Sequence, residues 1–122
     1  PSYLDPANEL MLTRDAMVWF WDLYVPEAED RTRWEVAPIN AESLTGVAPA
    51  AVLLAEHDVL HDEGRKYAEA LRSAGIPVRE KVFTGQMHGF FQSVYVLPGA
   101  KDGMDYVVEA VEDVLSGADI AR

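Results

Sequence analysis

The stretch Ala50-Ala51-Val52-Leu53-Leu54-Ala55-Glu56-His57-Asp58 decides the fold. Its apolar half, entered at Pro49 and closed by charge, has the length of a strand and no polar alternation. That is the pattern of a strand buried on both faces, as in parallel sheets. Next come residues 62–74, where Tyr67, Ala70, Leu71 and Ala74 share one helical face, Asp62 and Glu63 suit the first turn, and Gly75 takes the C′ position. Pro77 forces an extended restart, and Val78-Arg79-Glu80-Lys81-Val82-Phe83 predicts a second strand. The helix between the two strands supplies the crossover that a parallel pair requires. Arg79 and Lys81 suit an edge strand guarded against pairing with strangers. Residues 84–89 predict a loop leaving the carboxyl end of that strand.

The flanks read as helix and loop. Residues 1–12 are an irregular lead-in, after which Thr13 offers an N-cap hydroxyl and Asp15 sits in the first turn. Met17, Phe20, Trp21 and Tyr24 then predict one broad apolar helical face, ended by Pro26. Glu27, Glu29 and Asp30 read as a solvated loop, and residues 38–49 continue irregular. At the other end Met104, Val107, Val108, Val111, Val114 and Leu115 predict the apolar stripe of a terminal amphipathic helix closed by Gly117. The fold class is α/β: a helix and loop over residues 1–46, then a parallel βαβα unit over residues 47–122.

With 21 acidic against 10 basic residues the net charge is −11, which repels phosphate backbones, so no nucleic-acid partner is expected. The longest apolar stretch, residues 47–55, is far short of the roughly 20 residues that span a bilayer, and no membrane span is expected. Residues 1–6 lack the basic start and apolar centre of a signal peptide. The absence of cysteine excludes disulfides and thiolate chemistry and suits the cytoplasm.

In open parallel sheets functional groups gather at the carboxyl ends of strands, and the two ends here carry Asp58 and His88. Neighbouring strand ends of one βαβ unit bring such groups within hydrogen-bonding reach. A carboxylate bonded to an imidazole Nδ1–H fixes the tautomer and leaves Nε2 free to take a proton. From pattern alone, a merely structural loop histidine fits as well. His57 and His61 stand four apart, a metal-binding spacing only on a helix, and His57 falls at a strand end; no metal site is expected. Trp19, Phe20 and Trp21 read as packing residues rather than a ligand cage.

Several segments together are recognisable: residues 12–17, Ala55-Glu56-His57-Asp58-Val59-Leu60-His61-Asp62-Glu63-Gly64, residues 67–71, Ala74-Gly75-Ile76-Pro77-Val78, and Met87-His88-Gly89-Phe90. In this order they resemble the C-terminal part of the hormone-sensitive-lipase-like family of α/β-hydrolases. The resemblance implies an incomplete α/β-hydrolase sheet, with Asp58 as triad acid, His88 as triad base and small carboxylic esters as substrates. It implies neither metal nor cofactor. Residues 1–46 would lie near the substrate pocket, and Val59, Leu60 and Phe90, flanking the catalytic positions, would line that pocket or belong to the core. Val59 departs from the Pro that many relatives carry there.

The larger departure is the nucleophile. The five serines are Ser2, Ser43, Ser73, Ser93 and Ser116, and none lies in a Gly-x-Ser-x-Gly elbow; nor is there a His-Gly-Gly-Gly oxyanion segment. The chain alone is therefore expected to be inactive, and the N-terminal half of the same domain is its expected partner. The family also implies homodimer contacts through the last strand and helix, residues 78–83 and 104–115. This leaves a second reading, a truncated paralogue that acts as a binding or dimerisation module.

Overall fold

A computed structural model describes residues 2–121. Three helices, α1 (Arg14–Tyr24), α2 (His61–Ser73) and α3 (Pro98–Ser116), surround two strands, β1 (Ala50–His57) and β2 (Val78–Met87). Single 3-10 turns fill much of the lead-in and the segment between α1 and β1. The strands pair in parallel, from Ala50 opposite Val78 to His57 opposite Met87, with α2 as the crossover.

The apolar run packs on both faces, as expected of a parallel strand. Ala50 and Val52 meet the α2 side, in a cluster with Ala68, Leu71, Ile76 and Val78, while Leu53 and Ala55 meet Phe83, Phe90 and Tyr106 on the α3 side. Burying Leu71, Phe83 or Phe90 is worth about 1.5–3 kcal/mol each by area, so these two clusters hold α2 and α3 to the sheet. The other edge of β1 has no neighbour among the described residues, and Ala51 there is exposed.

Helix ends follow the expected chemistry. Thr13 accepts the Ala16 N–H at 3.1 Å, and α2 closes with the Ile76 N–H donated to the Leu71 carbonyl at 3.0 Å. Three expectations need correction. First, β2 runs to Met87, so the predicted loop is mostly strand. Second, α1 forms but none of its residues is buried; Trp19, Phe20 and Tyr24 stay exposed because nothing described lies over them. Third, α3 buries Ala100, Gly103, Tyr106 and Ala110; of the expected stripe Val107 packs against the core, and Val108, Val111, Val114 and Leu115 are exposed. Small side chains let the helix close on the sheet: a Cβ on Gly103 would stand 3.0 Å from the Phe90 ring.

Arg79, read as an edge guard, is tied to α3. It donates to Glu109 at 3.0 Å and Asp113 at 3.1 Å, and its guanidinium lies 5.0 Å from the Tyr106 ring centre. It holds the last helix against the second strand.

Candidate functional site

Asp58 follows the last residue of β1, and His88 follows the last residue of β2. The two side chains meet: His88 Nδ1 lies 2.9 Å from Asp58 Oδ2. Nδ1 is then the protonated nitrogen and Nε2 of the neutral ring is an acceptor. The other carboxylate oxygen, Oδ1, accepts the Leu60 N–H at 2.9 Å, an Asx turn that locks the acid's rotamer. The Asp58 side chain is 13% exposed and the His88 side chain 41%, so the carboxylate is held inside and the imidazole reaches the surface.

Each partner is anchored from behind. After His88, Gly89 takes φ +74°, a left-handed turn that suits glycine, and sends Phe90 into the core beside Phe83. The Asp58 turn is latched by the lead-in, which the sequence marks only as irregular. Ser2 Oγ donates to the Val59 carbonyl at 2.6 Å, the Ser2 N–H donates to the Asp62 carboxylate at 2.7 Å, and Asn8 Nδ2 donates to the Ser2 carbonyl at 3.0 Å. The Ser2 bond holds the Asp62 carboxyl below the usual carboxylate range. Tyr3 Oη lies 3.2 Å from Glu63. Burial, then the charge and hydrogen bond of Glu63 and the charge of Asp58, push the Tyr3 phenol up to about 12. No motif marks Ser2 or Asn8; their signal is being polar, small and buried.

Asp58 and His88 border a cleft of about 700 Å³, walled by Trp21, Pro38, Ile39, Leu60, His61 and Tyr67 and by the unpaired edge of β1. Of the three side chains expected to flank the chemistry, Leu60 lines this cleft. Val59 and Phe90 do not: Val59 is fully buried under its own turn, and Phe90 is a core residue. His61 is held by its Nδ1, 2.8 Å from the Ala55 carbonyl. Among the described residues no three His, Asp or Glu side chains converge as metal ligands, and no helix is long and apolar enough to cross a membrane.

The arrangement can carry a proton. A buried carboxylate stabilises an imidazolium formed when Nε2 accepts a proton from a group in the cleft. Ser2 is no candidate for that donor, since its hydroxyl is committed to Val59.

The fold and the sequence both have known relatives. A family model described as the α/β hydrolase fold matches residues 1–92. The carboxylic ester hydrolase LipN of Mycobacterium tuberculosis is 34% identical over 111 residues, covering 90% of this chain and 30% of LipN. The ethyl acetate hydrolase of Pseudomonas putida is 32% identical over 115 residues, covering 94% of this chain and 36% of that enzyme. Among solved structures, an esterase of Rhizomucor miehei superposes with a TM-score of 0.84 at 35% identity, covering 92% of this chain and 35% of its own. An esterase of Pyrobaculum calidifontis gives a TM-score of 0.81 at 29% identity, covering 87% and 34%. The chain thus spans about a third of the length of the curated relatives it matches. Two strands, a crossover helix and a family match over most of its residues show that this chain belongs to the α/β-hydrolase-fold family.

Proposed function

We propose that this chain supplies the acid and the base of a serine carboxylesterase whose nucleophile lies in an N-terminal portion of the same domain. The observation that carries this reading is the 2.9 Å contact between the buried Asp58 carboxylate and the half-exposed His88 ring at the mouth of a cleft. In the mechanism, Asp58 orients His88 through the bond to Nδ1. His88 Nε2 takes the proton of the serine hydroxyl as the oxygen attacks the ester carbonyl. The same proton then goes to the departing alkoxide, and His88 next deprotonates the water that hydrolyses the acyl-enzyme. Small carboxylic esters are the proposed substrates, which agrees with the named activities of the relatives. The reaction uses no cofactor.

The chain by itself would be inactive. A serine-bearing N-terminal portion would cover the free edge of β1 and complete the cleft, with residues 1–46 contributing the wall at Trp21, Pro38 and Ile39. The test is hydrolysis of p-nitrophenyl acetate by the chain alone and by the chain joined to an N-terminal half carrying the elbow serine. Turnover in the joined protein that vanishes in His88→Ala supports the reading; an inert joined protein, correctly folded, refutes it.

One observation favours a second reading, a dimerisation module without catalysis. Along α3, Val108, Val111, Val114 and Leu115 are all exposed, Leu115 to 81%. In that reading residues 78–83 and 104–115 meet a second copy, and sedimentation of the chain alone would show a dimer that Val111→Glu breaks.

A further inference from the structure

The Asp58–His88 pair depends on an irregularity in the sheet. From Ala50 to Ala55 the register is constant, and Ala55 stands opposite Phe83. The next pair is His57 with Met87, so β2 advances four residues while β1 advances two. Continued without that bulge, the ladder would set Asp58 level with Gln86. With the bulge, the residue after His57 faces the residue after Met87, and those residues are Asp58 and His88. The two inserted residues therefore bring base to acid.

A bulge turns peptide groups out of the ladder and leaves them in need of partners. Here Gly85 takes φ +72°, and its N–H is met by the Glu56 carboxylate, Oε2 at 2.7 Å, across a sequence separation of 29. Glu56 occupies the one β1 position between the two register pairs, directly beside the inserted residues. Its contact is short and charge-assisted, the stronger kind of hydrogen bond. His57 Nε2 is 3.9 Å from that oxygen, too far for a hydrogen bond. A glutamate whose side chain is 44% exposed would ordinarily be a solvated surface residue. This one closes the loop of the bulge three residues before the base.

We infer that Glu56 is a positioning residue for His88: by holding the Gly85 N–H it fixes the bulge that sets the imidazole level with Asp58. The inference rests on the carboxylesterase reading for its functional meaning, and on the strand register for its geometry. Glu56 does not touch the reacting atoms. Its effect passes through the backbone of residues 84–87.

The test uses the full chain and the His88 Nδ1–H proton, seen by NMR as a low-field resonance that Asp58→Asn abolishes. In Glu56→Ala that resonance should be lost or broadened. In Glu56→Gln, whose amide oxygen still accepts the Gly85 N–H, it should return. In the joined esterase, Glu56→Ala should lower kcat about tenfold to a hundredfold, the scale of a misplacement near 1 Å, with KM changed less than about twofold. A wild-type resonance in folded Glu56→Ala overturns the positioning role. Should Glu56→Ala not fold, Glu56→Gln and Glu56→Asp decide: the aspartate is one methylene too short, and equal resonances in the two overturn the inference. A native chain without the resonance overturns both the inference and the site. Failed ester hydrolysis with a resonance that still follows Glu56 overturns the esterase reading alone.

Discussion

Ser2 Oγ lies 2.6 Å from the carbonyl oxygen of Val59, a bond across 57 residues that pins the start of the described chain to the turn carrying Asp58. Removing it would leave the buried Val59 carbonyl without its partner, a loss of about 1–3 kcal/mol. Ser2→Ala should therefore lower unfolding stability by that amount, measured by urea titration. Ser2→Thr, which keeps the hydroxyl, should recover part of it. A wild-type midpoint in Ser2→Ala would show that the latch carries no load.

The pair itself predicts a steep loss of turnover. In the joined esterase, Asp58→Asn should keep the ring in place but fix the wrong tautomer, with kcat reduced about 10⁴-fold. Adding His88→Ala to Asp58→Asn should cost little more, since groups acting as one unit are not additive. Steady-state hydrolysis of p-nitrophenyl acetate reads both.

Tyr3 predicts a signal in alkali. Its phenol is pushed up to about 12, first by burial and then by Glu63 and Asp58. A raised pKa in the folded state means stability that is complete below the unfolded value near 10 and is lost as pH rises towards 12. Ultraviolet titration should show a tyrosine that ionises late, and Glu63→Gln should bring it earlier. Tyr3→Phe should flatten the loss of stability over that pH window.

Leu71 predicts a purely structural loss. It is 1% exposed and packs with Ala68, Ile76 and Val78 between α2 and the sheet. Leu71→Ala should cost about 2–5 kcal/mol, read by thermal or urea unfolding, while the Asp58-dependent His88 resonance persists in the protein that remains folded.

Much of this was legible before any coordinates. The unbroken apolar run at residues 50–55 and the Pro77 restart specify a parallel pair, because only a strand covered on both faces has no use for polar alternation. Thr13 and Gly75 mark helix ends by the backbone groups they satisfy. The two strand ends also named Asp58 and His88 as residues that could meet.

Periodicity placed α1 and α3 but misjudged their faces. A hydrophobic stripe reports that a face can be buried, and does not say what lies against it. In α3 the sheet admits Ala100, Gly103 and Ala110, whose small size permits the approach, and Val108, Val111 and Leu115 remain outside. In α1 the aromatic residues have nothing described over them.

Sequence by itself determined the strands, the crossover and the two strand ends at which Asp58 and His88 stand, since local apolar pattern and end chemistry act over a few residues. Only the tertiary structure decided that Ser2 holds the acid's turn, that Glu56 meets Gly85, and that a two-residue bulge makes Asp58 and His88 level. Those contacts join residues 29 to 57 positions apart. No local preference encodes which distant partner a hydroxyl or an unpaired N–H will find once the chain has closed.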